Sequence, residues 1–184
     1  MSATGPTAPG GGVRTRYGVR PAVPDDADRL GVVHTQVWRE AYASAMPAEY
    51  LAGLDAAASA RRWRETLLAA GSPSDVVVAT ADDEVVGFAI AGPTRDDPPA
   101  PAFELYAINV LAAHHGSGLA PLLLGAALRS AGGESVSLWV LASNERARAF
   151  YSRHGFVPDG RTKTHEGTGL GEVRLVREAQ AAPT

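Results

Sequence analysis

The stretch His114 to Leu128, HHGSGLAPLLLGAAL, puts Gly116 and Gly118 at the head of an apolar run with helical spacing. A helix that starts on such a turn leaves its first amides without partners, and its dipole favours negative charge there. Without side chains on the two glycines, a ligand's phosphates reach the main chain, so the turn is a candidate anion site. Elsewhere, Tyr151 offers a phenol that is protonated at neutral pH and able to donate, although taken alone it is better read as a core tyrosine. Asn144 suits either a helix N-cap or a ligand contact. Glu104 is a carboxylate in the otherwise apolar stretch FELYAINV, a place that is costly without a partner or a task. Trp38 and Tyr42 lie four apart on one helix face and could line an aromatic pocket or simply pack the core.

Familiar phosphate loops do not fit these letters. A P-loop needs a Lys-Ser/Thr pair after its last glycine, where Leu119-Ala120 stands. A dinucleotide fingerprint needs a third small residue where Pro121 stands, and no first βαβ unit precedes it. The adjacent His114 and His115 cannot both face one ion from regular structure, so no metal site is expected. No G-x-S-x-G nucleophile elbow is present.

Composition narrows the classes further. The 184 residues are 45% hydrophobic with a net charge of −3, which suits one domain and gives no basic excess for nucleic acid. With zero cysteines there are no disulfides and no cysteine nucleophile. The start, MSATGPTAPGGG, lacks the regions of a signal peptide, and no apolar run nears the ~20 residues of a membrane span. A soluble, cytoplasmic protein without a membrane partner is the simplest expectation. Residues 1–14 and 179–184 are expected as tails around a domain at 15–178.

These site residues need elements to position them. The expected series is a strand at Tyr17 to Pro21, a helix from Asp26 towards Tyr42 and a helix from Ala56 to Leu68. A hairpin of Asp75 to Thr80 and Val85 to Gly92 and a strand from Phe103 to Val110 follow. A helix to Ser130, a strand from Val136 to Leu141, a helix from Asn144 to His154 and strands near 156–157 and 172–176 complete it. In the first helix, Leu30, Val33, Val37 and Ala41 mark one buried face. The fold class is α/β, a mixed and mostly antiparallel sheet of about seven strands flanked by about four helices. The passage from Phe103 to Leu141 is expected to be parallel and right-handed.

Two segments together carry a family resemblance. His115-Gly116-Ser117-Gly118-Leu119-Ala120 resembles the GNAT N-acetyltransferase loop Gln/Arg-x-x-Gly-x-Gly/Ala in every position but the first. LWVLASNERARAFYSRHGF (Leu138 to Phe156) resembles the second half of that family's cofactor site, and VRPAVPDDADRL its first strand and helix. The resemblance runs from Val19 to Val176 and implies the GNAT fold with acetyl-CoA as co-substrate and no metal.

It implies a pyrophosphate cradle over residues Gly116 to Pro121, with His115 giving less side-chain help than Gln or Arg. It also implies pantetheine pairing along Ile108, Asn109 and Val110, where a bulge would free an amide for the thioester carbonyl. Tyr151, seven residues after Asn144, stands where the family's thiolate-protonating tyrosine does. Glu104, eleven residues before His115, stands where histone-acetylating relatives carry a catalytic glutamate, so it is expected as base or as grip for the acceptor's ammonium, with an exposed strand end as the remaining alternative. The acceptor is expected near Trp38, Tyr42, Tyr50, Tyr106 and the GTGLG of 167–171. The expected reaction is direct acetyl transfer in a ternary complex to a primary amine of a small molecule. Two rivals stand beside it: a protein N-terminus or lysine as acceptor, and a non-catalytic acyl-CoA sensor. The family resemblance also allows a homodimer.

Overall fold

Helix-start chemistry at Pro24-Asp25-Asp26 forms a 3-10 turn that leads into the first α-helix. In the computed structural model, residues 15–43, 46–69, 75–97, 100–165 and 168–179 are described. The expected tail at 1–14 and all of the expected tail at 179–184 but Ala179 lie outside them. The elements are β1 (Tyr17–Pro21), α1 (Ala27–Tyr42), α2 (Ala48–Ala52), α3 (Ala56–Leu68), β2 (Asp75–Ala81), β3 (Glu84–Pro93) and β4 (Phe103–Val110). After these come α4 (Leu119–Arg129), β5 (Val136–Leu141), α5 (Glu145–Arg153), β6 (Val157–Thr164) and β7 (Gly171–Arg177). No helix among the described residues is long and apolar enough to cross a membrane.

The seven strands form one sheet in the order β1-β2-β3-β4-β5-β7-β6, antiparallel except for the β4–β5 pair. The β2–β3 hairpin turns on Asp82 and Asp83, both at positive φ, the twist that matches flanking strands. Phe88 of β3 is buried against Trp63 of α3 at 4.8 Å and His34 of α1 at 5.7 Å. Helices α1 and α3 cross so closely that a Cβ on Gly31 would stand 2.5 Å from the Ala56 carbonyl oxygen.

Three details differ from the sequence reading. A fifth helix, α2, follows Met46-Pro47, too short for periodicity to mark. The sixth strand extends to Thr164 rather than ending near Val157; as an exposed edge it has no buried face to alternate. Ala41 is exposed rather than buried, because its stretch of α1 borders the cavity described below.

Buried ion pairs tie the loops down. Asp26 accepts from both guanidinium nitrogens of Arg20, at 2.7 and 2.8 Å, and from the Val23 amide at 2.8 Å. The Arg20 hydrogen bonds outweigh burial and hold the Asp26 carboxyl below its ordinary range. Folding therefore favours the carboxylate: its stabilisation is complete above the ordinary Asp value, about pH 4, and is lost as pH falls through the lowered folded value. Asp26→Asn is expected to cost about 2 kcal/mol at pH 7, roughly 5 °C in thermal midpoint. That gap should close in melts run at pH values well below 4, whereas a gap unchanged by pH would contradict the pairing. On the other side of the sheet's middle, Arg174 of β7 pairs with Asp96 at 3.0 Å and with Asp159 at 2.8 Å, and the Trp139 indole also donates to Asp96 at 3.0 Å.

Candidate active site

The parallel pair β4–β5 is short, with only Phe103↔Val136 and Glu104↔Ser137 in register. Past these two rungs β4 stays with β3 while β5 follows β7, and the two strands diverge. A bulge helps to bend β4: Ile90 pairs with Ala107 and Ala91 with Leu105, so Tyr106 is the extra residue. Between the strands opens a cavity of about 900 Å³, bordered by Leu105 through Val110 on one side and Trp139, Val140 and Leu141 on the other.

At one end of this cavity lies the glycine turn. Gly116 and Gly118 sit at φ 81° and 87°, the left-handed region that side chains resist, and a Cβ at either would meet nothing within 4 Å. The α4 helix begins at Leu119, so Pro121 falls in its first turn, where no backbone donor is needed. Among the described residues, the amides of Gly116, Gly118 and Ala120 have no protein acceptor, and all three residues border the cavity. Ser117 turns away from the cavity, its hydroxyl donating to the His114 carbonyl at 2.7 Å. His115, the departure from Gln/Arg, donates from Nε2 to the Val110 carbonyl at 2.9 Å and so clips the turn to the end of β4.

The second wall comes from α5. The side-chain oxygen of Asn144 accepts from the Ala147 amide at 3.0 Å, the N-cap role, while the residue still borders the cavity. Tyr151 is buried among Phe150 and Phe156, at ring separations of 5.3 and 5.8 Å. Its phenol has no hydrogen-bond partner among the described residues. Burial, with a smaller contribution from Tyr42, pushes its pKa well above the ordinary tyrosine value. The hydroxyl therefore keeps its proton throughout the neutral range.

At the far end Trp38 and Tyr42 meet edge to face at 5.0 Å, and the ring of His165, from the β6–β7 loop, lies 6.1 Å from Trp38. Tyr106, Thr168 and Glu172 border the same space. Tyr50 is exposed and does not reach it, and Gly167 of the expected GTGLG contact lies outside the described residues. The structure thus brings together Trp38, Tyr42, Tyr106, Ile108, Asn109, Val110, His115, the glycine turn, Asn144 and Tyr151.

It does not bring Glu104 to them. That side chain is 1% exposed and is taken up by Arg95, whose amide and Nε donate to Oε2 at 2.9 and 3.2 Å and whose Nη2 bonds to Oε1. The same guanidinium covers the Tyr106 ring at 4.1 Å, so Glu104 anchors the β3–β4 connection beside the bulge. Glu104→Gln is expected to leave kcat within about threefold and to lower stability by about 2 kcal/mol, the loss of a charged hydrogen-bond partner. A steady-state rate with a chemical melt checks both, and a rate collapse at unchanged stability would return the base role to Glu104. Periodicity gave no sign of His165 or Glu172 as site residues, nor of Arg95 as the partner of Glu104. Arg95 stands in a Pro-rich polar loop, and the other two flank a hairpin turn.

Comparison with known proteins agrees with this geometry. The model of the Acetyltransferase (GNAT) family matches residues 35–156. An uncharacterized N-acetyltransferase of Mycobacterium tuberculosis is 33% identical over 141 residues, covering 73% of this chain and 85% of that protein. A GNAT-family structure from Desulfovibrio desulfuricans superposes with a TM-score of 0.65 at 26% identity, over 89% of this chain and 99% of that one. The PaiA N-acetyltransferase from Thermoplasma acidophilum, solved in complex with coenzyme A, shares the fold with a TM-score of 0.67 at 16% identity, covering 89% and 99%. The chain belongs to the GNAT acetyltransferase family and is an acyltransferase.

Proposed function

We propose that the protein transfers an acetyl group from acetyl-CoA directly to the primary amine of a small molecule, both substrates being bound together. One observation carries this reading: a single cavity runs from the open amides of the glycine turn, along the diverging edge of β4, to the Tyr151 phenol and the aromatic pair Trp38 and Tyr42.

The residues present fit the co-substrate. The amides of Gly116, Gly118 and Ala120 at the positive end of α4 suit a pyrophosphate, and the β4 edge at Ile108, Asn109 and Val110 suits an extended amide chain that pairs like a strand. When bound, acetyl-CoA supplies the acetyl group as a reactive thioester. The amides along the bulged edge of β4 orient and polarise the carbonyl. Tyr151 holds its proton at the phenol oxygen, ready for the departing sulfur. Trp38, Tyr42 and Tyr106 border the acceptor end and keep the acceptor's apolar part out of water. The aromatic lining of that end favours a small amine over a protein tail.

Calorimetric titration with acetyl-CoA, beside thiol release with a panel of small primary amines and short peptides, tests the proposal. Saturable binding with turnover on a small amine is the expected outcome. Turnover on peptides alone would move the acceptor to proteins, and binding without any turnover would point to an acyl-CoA sensor.

A further inference from the structure

Two carboxylates border the cavity among the described residues, Glu40 and Glu172. Glu40 is occupied: Oε2 accepts from the Ala112 amide at 3.0 Å and Oε1 from Gln36 at 2.8 Å. Glu172, at the start of β7, is different. Its side chain is only 11% exposed, and its ion-pair partner Lys163 holds its amine 3.8 Å away, beyond hydrogen-bond reach. That amine sits over the Trp139 ring at 4.2 Å. A mostly buried carboxylate whose ion pair is this long and lacks a hydrogen bond keeps acceptor capacity for a second cation.

Aromatic rings border the same cavity as Glu172. Tyr42 is one of them, and its phenol is pushed above the ordinary value by burial and then by the Glu172 charge. Trp38 packs on Tyr42, and His165 packs on Trp38 with its Nδ1 buried and unpartnered among the described residues. A carboxylate beside aromatic faces is a setting that favours a cation twice, by ion pairing and by the ring quadrupoles.

We propose that Glu172, which shares the cavity with Trp38 and Tyr42, recognises the ammonium group of the acceptor and selects cationic alkylamines over acceptors that carry a carboxylate near the amine. The inference rests on the acetyl-transfer reading and adds the acceptor's chemical class to it. An anionic group brought to this end would face Glu172 as a like charge, which costs affinity. An apolar stem on the amine would lie along Trp38 and Tyr42.

The test uses hexylammonium chloride as probe, titrated calorimetrically into the full-length wild-type protein, Glu172→Gln and Glu172→Asp. Wild type is expected to bind it saturably, Glu172→Gln at least tenfold more weakly, and Glu172→Asp in between. Against wild type, neutral 1-hexanol and zwitterionic 2-aminohexanoate, whose carboxylate sits on the carbon that bears the amine, should each bind at least tenfold more weakly than hexylammonium. Acetyl-CoA is titrated into the same samples and is expected to bind all three proteins within twofold, which also reports that they are folded. The proposal is overturned if Glu172→Gln binds hexylammonium within twofold of wild type, if hexanol binds as well as the ammonium, or if wild type shows no saturable binding. If acetyl-CoA binds none of the proteins while hexylammonium binding still depends on Glu172, the ammonium site stands and the transfer reading falls.

Discussion

Tyr151→Phe is expected to lower kcat by two to three orders of magnitude while the Kd for acetyl-CoA stays within about twofold. The substitution removes one oxygen from a ring that remains packed between Phe150 and Phe156, so the walls of the cavity keep their shape. What disappears is the proton meant for the leaving thiolate. The raised pKa of this phenol has a definite sign for the pH profile: the donor form persists through the neutral and mildly alkaline range, so Tyr151 causes no loss of rate there. A thiol-release assay beside calorimetry separates the two quantities, because loss of a group that acts only in the transition state lowers kcat and kcat/KM together. A variant with full rate would mean that another group protonates the sulfur.

Gly118→Asp is expected to raise the acetyl-CoA Kd at least a hundredfold with little loss of stability. The substituted position has open space around its Cβ, so nothing collides; the backbone at φ 87° strains any side chain by about 1–2 kcal/mol, and Asp is among the residues that tolerate it best. A carboxylate at the positive end of α4 recovers part of that cost. The same carboxylate repels a pyrophosphate and competes for the amides that would hold it. Gly118→Ala supplies the comparison, since it adds the strain without the charge and should weaken binding far less. Calorimetric Kd values beside thermal midpoints for both variants decide the matter. Equal, small losses of affinity in the two would show that the turn does not anchor the co-substrate by its charge preference.

The parts of this molecule that are legible in its sequence are those set by local chemistry. Apolar spacing marks α1, α3 and α4, the two aspartates mark the β2–β3 turn, and the glycines and Asn144 mark two helix starts. Tyr151 was legible because its segment and the glycine turn occur in the expected order. The fate of Glu104 was not, because its partner Arg95 lies across a Pro-rich loop and nothing in strand alternation says which residue will come back to meet a buried carboxylate. The bulge at Tyr106 was anticipated only as a condition, since it arises from the register between two strands rather than from either alone. His165 and Glu172 escaped for a related reason: they face Trp38 and Tyr42 only once a hairpin folds back over α1.

The two-rung junction between β4 and β5 has a consequence for the life of the protein as well as for its chemistry. With so few backbone bonds across the middle of the sheet, that seam depends on Arg174 and Trp139 gripping Asp96, and it is the natural place for local opening to begin. A co-substrate lying between the strands would suture the halves. At a hundred times its Kd it would add about 2.7 kcal/mol to the folded state. Under the proposed function, hydrogen exchange along Ile108 to Val110 should slow when acetyl-CoA is supplied, and the enzyme should resist proteases best at acetyl-CoA concentrations well above its Kd.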